Sequence, residues 1–120
     1  MKNIFLIGLL VVFLFSGCEN LFNNEYNPRN VSVAEAKNLR DGTYVKISGA
    51  IETTILKDLY ILSDRTGTII IEIEAEVWAR AGIVNPSVML PGSFEIVGEI
   101  EKEPFHEAII ELSRLKHIQN

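Results

Sequence analysis

The sequence predicts an all-β domain: a five-stranded OB-fold Greek-key barrel, with a short N-terminal helix and a short helix between strands 3 and 4. Three observations support this. Five segments alternate between apolar and polar residues, a short helical segment separates the third from the fourth, and Gly49 interrupts the first. That element order is typical of the OB-fold, and a glycine suits a strand that bends to serve both halves of a barrel. A sandwich of similar strands is the alternative.

The first helix is predicted over residues 33–39. Ser32 precedes this segment and Glu35 follows three positions later. Such a pair forms a capping box, in which each side chain bonds a backbone N–H at the start of the helix. Asp41 and Gly42 are expected to end the helix.

The first strand is predicted over residues 44–55, because apolar residues at 45, 47 and 51 alternate with polar residues at 46, 48 and 52. This pattern buries one face of a strand. The second strand covers residues 58–62. Asp64 then opens a tight turn with Gly67 in its fourth position, a placement that type I geometry favours.

The third strand, residues 68–74, is rich in isoleucine, and a short helix is predicted over residues 76–82. An irregular segment that contains Pro86 and Pro91 follows it. The fourth strand, residues 94–101, alternates again. The fifth strand covers residues 108–118, after a turn that contains Pro104.

Residues 1–17 predict a lipoprotein signal peptide. Lys2 precedes an apolar run over residues 4–15, which is shorter than the roughly 20 residues that cross a bilayer. The small residues before Cys18 resemble the lipobox of bacterial lipoproteins, in which the cysteine is acylated and the upstream peptide removed; an uncleaved anchor is the alternative. The resemblance implies a lipid-anchored, periplasm-facing protein of the cell envelope. Glu19 favours the outer over the inner membrane, because an aspartate there is the inner-membrane signal of enterobacteria.

The rest of the chain divides into a tether and one domain. Residues 18–30 are rich in asparagine and show no sustained period, so they predict a lipidated tether. Residues 31–120 have the size of a single domain, here the OB-fold domain. Since Cys18 is the only cysteine, the mature chain would have no disulfide and no thiolate for catalysis or metal binding.

Charge and motif content exclude several classes of function. The chain carries 11 Lys and Arg against 16 Asp and Glu, a net charge of −5, and removal of Lys2 with the signal peptide would make it more negative. This sign argues against nucleic-acid partners, which bind through basic residues. The sequence has no Gly-x-Ser-x-Gly elbow, phosphate loop or metal motif, so we expect neither an enzyme nor a cofactor.

A set of short motifs follows the chain from residue 31 to residue 118. They are Val33-Ala34-Glu35-Ala36-Lys37, Asp41-Gly42-Thr43-Tyr44-Val45, Gly49-Ala50-Ile51, Leu59-Tyr60-Ile61, Asp64-Arg65-Thr66-Gly67, Glu72-Ile73-Glu74, Trp78 and Gly98-Glu99-Ile100-Glu101-Lys102. In this order and spacing they resemble the bacterial OB-fold (BOF) family of small exported proteins linked to stress tolerance. The resemblance implies binding of small or cationic ligands or envelope components rather than nucleic acid. Known members are mostly soluble, so a lipid anchor departs from the commonest form.

The resemblance also implies candidate site residues. Asp64, Trp78 and Lys102 match residues of the family pattern. Glu74 and Glu101 stand where many members carry aspartate. Each glutamate keeps the negative charge and lengthens the side chain by one carbon.

The alternation itself indicates an acidic surface. Glu72 and Glu74 fall on one side of the third strand, and Glu99 and Glu101 on one side of the fourth. Paired carboxylates repel each other and favour a cation between them. The predicted ligand is therefore a cationic small molecule, peptide or cell-wall fragment. The alternative is a solvated outer face, since the isoleucines supply the inner one.

Other candidate residues have a functional and a structural interpretation. Tyr60 and Trp78 form either a ligand shelf or, in the case of Trp78, a plug at the barrel end. Asp64 is expected to be structural, because an aspartate that opens a turn can bond the backbone two residues on. His106 and His117 are isolated and lack the spacing of a metal-binding helix, so no metal site is predicted.

Two functions of different classes stay open. The first is a binding module for a cationic ligand. The second is an accessory or assembly protein that docks another envelope protein without a small ligand. An exposed apolar patch of several hundred Å² would favour docking, and a small acidic groove would favour the ligand. Single-stranded nucleic-acid binding rests only on analogy of fold and is opposed by charge and location.

Overall fold

The computed structural model describes residues 22–119, so the predicted signal peptide, Cys18 and Glu19 lie outside the described residues. The strands of this part are β1 (Arg29–Asn30), β2 (Tyr44–Leu56), β3 (Leu59–Asp64), β4 (Gly67–Glu72), β5 (Gly92–Glu101) and β6 (Ile109–His117). Its helices are α1 (Val33–Ala36), α2 (Ala75–Arg80) and a 3-10 helix at Pro86–Met89. No helix among the described residues is both long and apolar enough to span a membrane.

The five long strands close into a barrel. β2 pairs antiparallel with β3 on one side and with β5 on the other. β3 pairs with β4, β4 runs parallel to β6, and β6 pairs antiparallel with β5, which completes the circle. The predicted all-β OB-fold is therefore confirmed, and a sandwich is excluded because β2 is shared between both halves of the barrel.

Gly49 lies where β2 begins to leave β5 for β3. A Cβ atom at this position would lie 2.4 Å from the carbonyl oxygen of Ser63, closer than any side chain tolerates. β2 pairs with β5 as far as Ile51 and with β3 from Ala50 onward. The glycine thus permits the close contact that the bend of β2 requires, as the sequence predicted.

The inner faces of the strands form the core, as the alternation predicted. Ile71 and Ile73 are fully buried and Ile69 is nearly so. Phe94 and Ile96 of β5 are also fully buried. Helix α1 is shorter than predicted, ending at Ala36, and β4 ends at Glu72 rather than at residue 74.

The N-terminal segment, residues 23–30, is bonded to the barrel instead of forming part of a free tether. β1 pairs parallel with the start of β2. The side chain of Asn23 exchanges hydrogen bonds with both backbone groups of Tyr44, at 2.7 and 2.8 Å. The Arg114 guanidinium donates to the carbonyl oxygen of Glu25. These bonds cover an edge of β2 that would otherwise be open, so the structured domain starts before residue 31 and has a sixth strand.

The N-terminal segment, residues 23–30, explains why the side chain of Val97 is buried. Alternation places Val97 on the outer face of β5, where it lies opposite Lys46 and Arg114. Its side chain is nevertheless only 4% exposed. The N-terminal segment is attached to β2 through Asn23 and to β6 through Arg114, so it crosses the outer face where Val97 lies.

Candidate functional site

A row of carboxylates crosses the outer face of three strands. Glu72 of β4 lies opposite Glu111 of β6, and Glu111 lies opposite Glu99 of β5. Glu101 is two residues beyond Glu99 and so projects from the same face. Together with Glu74 these residues are the acidic cluster of the outer face. Strand alternation explains the cluster, because the residues between these glutamates are the buried isoleucines of the core.

Glu74 joins the cluster from the start of helix α2. It was predicted to close the third strand, but it is the N-cap residue of α2. One carboxylate oxygen each from Glu72, Glu74 and Glu111 all lie within 4.8 Å of one another. Oxygen atoms gathered at this spacing suit a hard cation or an ammonium group.

Glu111 was missed as a candidate site residue. It belongs to the last strand, 39 positions after Glu72, and only the parallel pairing of β4 with β6 brings the two together. The signal was present in the sequence, since alternation along β6 puts Glu111 on the outer face between buried Ile110 and Leu112. What the sequence lacked was the identity of the neighbouring strand.

The ion pairs of residues 22–119 lie outside the acidic cluster. Lys46 pairs with Glu95 at 3.7 Å, and Arg80 pairs with Glu76 at 3.9 Å on the surface of α2. Among the described residues, no lysine, arginine or histidine forms a salt bridge with a cluster carboxylate. The charges of the cluster therefore repel one another, with no neutralising salt bridge from residues 22–119.

The raised pKa values of two cluster carboxylates reflect this repulsion. A hydrogen bond with Glu111, partial burial and the charges of the neighbouring cluster carboxylates raise the pKa of Glu101 to about 7. The pKa of Glu74 is also raised, first by a hydrogen bond with Glu76 and further by nearby carboxylates. Because like charges favour the neutral form of an acid, a cation that enters the cluster would lower both pKa values.

A cavity of about 460 Å³ opens between α2 and the turn that joins β2 to β3. Trp78 lines it, with its ring edge-on to Tyr60 at 5.5 Å and to Phe94 at 5.9 Å. Only 3% of Trp78 is exposed, so its indole fills the end of the barrel and offers an edge to the cavity. Tyr60 is half-buried and supplies the more accessible ring. The indole Nε1 is buried with no hydrogen-bond partner among the described residues.

The cavity and the acidic cluster meet at the start of α2. Ala75 lines the cavity, and the residue before it is Glu74 of the cluster. The fold therefore brings six of the predicted candidates to the cluster or to the cavity beside it: Tyr60, Glu72, Glu74, Trp78, Glu99 and Glu101. An apolar recess beside several carboxylates can accept a group that is partly apolar and carries a positive charge.

Asp64 lies elsewhere and has a structural role. Its carboxylate accepts hydrogen bonds from the backbone N–H groups of Val33 at 2.9 Å and Thr66 at 2.7 Å. Partial burial opposes ionisation, but the hydrogen bonds from Thr66, Val33 and Gly67 prevail and lower the pKa of Asp64. The predicted bond to the backbone two residues on is confirmed.

Lys102 also points away from the cluster. Its ammonium donates to the carbonyl oxygen of Lys37 at 3.2 Å, and its backbone N–H donates to Asp41 at 2.8 Å. Both lysines line a second, smaller recess of about 280 Å³ with His106 and Glu107. Lys102 thus ties the region after β5 to the segment after α1.

Comparison with known proteins agrees with the fold. Residues 17–117 match the family described as Bacterial OB fold (BOF) protein. YgiW of Escherichia coli K12 is 35% identical over 72 residues, which is 60% of this chain and 52% of YgiW. The match therefore spans about half the length of that relative. The solved structure of the hypothetical protein ygiW from E. coli has a TM-score of 0.65 at 30% identity, over 75% of this chain and 90% of that chain.

Two further solved structures share the fold alone. The telomere capping protein Ten1 from Saccharomyces pombe has a TM-score of 0.54 at 13% identity, over 75% of this chain and 80% of that chain. OBody AM1L10 bound to hen egg-white lysozyme has a TM-score of 0.57 at 20% identity, over 78% of this chain and 95% of that chain. Similarity at this level concerns the barrel and not what it binds.

Proposed function

Since this chain belongs to the bacterial OB-fold (BOF) family, we propose that it is a lipid-anchored binding module of the cell envelope, with a role in stress tolerance. It binds a cationic small molecule, peptide or cell-wall fragment, and it acts by binding rather than by catalysis. The ligand site comprises the acidic cluster and the adjoining cavity beside Tyr60 and Trp78.

The observation that carries this proposal is the row of Glu72, Glu111 and Glu99 in register across three strands. Like charges directly opposite one another destabilise a sheet. Here the destabilisation is not offset by salt bridges from the described residues. A bound ammonium group would offset it, which makes the cluster selective for positive charge.

The adjoining cavity adds a preference for shape. Glu74 and Ala75 are consecutive, so a ligand can place its charge among the carboxylates and an apolar part against Tyr60. Aromatic rings also attract cations through their faces. Ligands that combine an amine with a ring or a short hydrocarbon should therefore bind more tightly than simple ions.

The proposed location follows from the N-terminus. Cys18 carries the lipid after the signal peptide is removed, and the domain faces the periplasm, from the outer membrane by preference because Glu19 follows the cysteine. Each buried CH₂ contributes ~0.8 kcal/mol, and stable attachment takes more than one acyl chain. Mass spectrometry of the membrane fraction tests the anchor: a mature chain with Cys18 unmodified and still joined to Gly17 would disprove it.

Fluorescence of Trp78 tests the ligand site. Trp78 is the only tryptophan and lines the cavity, so titration with spermidine or an amino-bearing cell-wall fragment should change its emission. Glu74→Gln should weaken binding about fivefold, since it removes one exposed charge contact with the ligand. Affinity should also fall with added salt, because exposed charges are screened over ~10 Å at 0.1 M.

Glu103→Gln is the matched control. It removes the same charge from the exposed loop after β5, outside the cluster, and should leave affinity within about twofold, as a surface charge far from the ligand contributes little. Equal weakening by both substitutions would show only a general effect of net charge. Tighter binding of single-stranded DNA than of any cation would also reject the site.

A second candidate function is docking of another envelope protein without a small ligand. The observation in its favour is a group of exposed apolar side chains next to the cavity: Ile55 and Leu56 at the β2 end, and Val84 and Val88 after α2. Exposed apolar groups mark interaction surfaces when they are contiguous. Leu56→Ser with Val88→Ser, both outside the residues that line the cavity, would abolish capture of a protein partner but leave spermidine binding intact.

A further inference from the structure

The segment that follows the proposed lipid anchor presents two exposed aromatic side chains. Phe22 is 66% exposed and Tyr26 is 81% exposed. Asn24 organises the turn between them, because its side-chain oxygen accepts from the backbone N–H groups of Tyr26 and Asn27, at 2.8 and 2.9 Å. The two rings are thus displayed by a defined turn.

This turn is fastened to the barrel on two sides. Asn23 bonds the backbone of Tyr44 at the start of β2. Arg114 of β6 donates to the carbonyl oxygen of Glu25. The rings therefore cannot move far from the barrel surface, and any surface they contact must also approach the barrel.

The distance to the lipid is short as a result. Phe22 is four residues after Cys18, and four residues span at most about 14 Å when fully extended. A free tether from Cys18 to Asn30 would instead reach roughly 40 Å. With residues 23–30 bonded to the barrel, the anchor holds the domain within about one barrel radius of the bilayer.

We propose that the domain docks on the bilayer through an N-terminal patch formed by Phe22, Tyr26, Arg29 and Arg114. This inference rests on the proposed acylation of Cys18. Aromatic side chains favour the boundary between headgroups and hydrocarbon. The arginines of the patch outnumber Glu25 of the same segment, which favours anionic headgroups. Such contacts between the protein and the membrane add to the attachment that the acyl chains provide. The occupant of the patch is therefore the headgroup region of the membrane that carries the anchor.

The docked orientation has a consequence for the ligand site. Asn23 bonds the first residue of β2, whereas Leu56, the last residue of that strand, lies near the cavity end of the barrel. The patch and the cavity are thus at opposite ends of a strand of 13 residues. The cavity would open away from the membrane, whereas Glu99 of the acidic cluster, which lies opposite Tyr44 in the sheet, would lie near the patch.

Lipid-borne nitroxide quenchers test the orientation. The acylated full chain is reconstituted into vesicles of phosphatidylethanolamine and phosphatidylglycerol, with a fluorophore on Asn30→Cys in one sample and on Val84→Cys in another. Asn30 lies in β1 beside the patch, and Val84 lines the cavity. Headgroup nitroxides should quench the label at position 30 several-fold more than the label at position 84.

A double substitution separates docking from mere tethering. Phe22→Ser with Tyr26→Ser should bring the quenching at position 30 close to that at position 84, while the chain still floats with the vesicles. Equal quenching at both positions before the substitution, or no effect of the substitution, would overturn the docking. A chain that does not float with vesicles at all would instead show that the proposed anchor is absent, and docking would fail with it.

Discussion

The carboxylate of Asp64 accepts a hydrogen bond from the backbone N–H of Val33 at 2.9 Å, although 31 positions separate them. Ser32 supplies the local cap of α1 by accepting from Glu35 at 3.1 Å. The start of this four-residue helix is therefore held both from within and from the turn after β3. A helix so short is not stable alone, so the long-range acceptor fixes where α1 lies.

Asp64→Ala should lower the free energy of unfolding by about 1–3 kcal/mol, because it leaves N–H donors at the start of α1 and in the β3–β4 turn without their acceptor. Urea denaturation monitored by circular dichroism measures this. Arg65→Ala, in the same turn but exposed, should change stability by less than about 0.5 kcal/mol. Similar stability of the two variants would contradict the assigned role of Asp64.

Stability should fall between pH 4.5 and about 7 because of Glu101. Its pKa rises from 4.5 to about 7 on folding, so the contribution is fully present below 4.5 and is lost as the pH passes through the folded value. Glu101→Gln should flatten this slope and stabilise the protein at about pH 8, by less than about 1 kcal/mol because the carboxylate is largely hydrated. Urea denaturation across this range, with Glu103→Gln as control, decides the matter; an unchanged slope in Glu101→Gln would count against the coupling.

Gly49→Ala should cost at least about 1–3 kcal/mol, the usual penalty for forcing an atom into filled space. The new Cβ would lie 2.4 Å from the carbonyl oxygen of Ser63, so β2 and β3 must separate. Thermal unfolding measures the loss. Ser48→Ala, at the neighbouring exposed position, should have little effect, and equal melting temperatures would refute the close contact.

Asn23→Ala should release the N-terminal segment from β2. The side chain of Asn23 bonds both backbone groups of Tyr44, so hydrogen exchange at the Tyr44 N–H should accelerate while exchange in the core is unchanged. NMR-detected exchange reads both. Asn38→Ala removes an asparagine whose side chain donates to the carbonyl oxygen of Ala34, far from Tyr44 in the hydrogen-bond network of residues 22–119, and should leave Tyr44 protected. Persistent protection of Tyr44 in Asn23→Ala would show that other contacts hold the segment.

Alternation made much of the fold predictable. The isoleucines at 69, 71 and 73 face the core, and Glu72, between the last two of these positions, faces outward, because a strand can bury only one face in a small barrel. The helix between the third and fourth strands and the bend at Gly49 were also predicted from residues within those segments. Chain order and residue type were sufficient for these features.

The candidate site was predictable only in part. Glu72, Glu74, Glu99 and Glu101 were identified from their own strands, but Glu111 was not, because its partners depend on which strands become neighbours. Glu74 moved from a strand end to a helix cap, since α2 begins at Ala75. Asp64 and Lys102 were grouped with the acidic site by resemblance, yet their hydrogen bonds tie them to α1 and to the segment after it.

The sequence by itself determined, through its periodicity and composition, that this chain is an acidic all-β barrel with one buried face per strand. These properties depend on residues that are close together in the chain. Only the tertiary structure decided that Glu111 completes the acidic cluster and that Asn23 fastens the N-terminal segment to β2. Both depend on pairings between distant residues, 39 positions apart for Glu72 and Glu111 and 21 for Asn23 and Tyr44. Such pairings arise when the barrel closes, because closure alone brings β4 beside β6 and exposes the edge of β2 to the chain that precedes it.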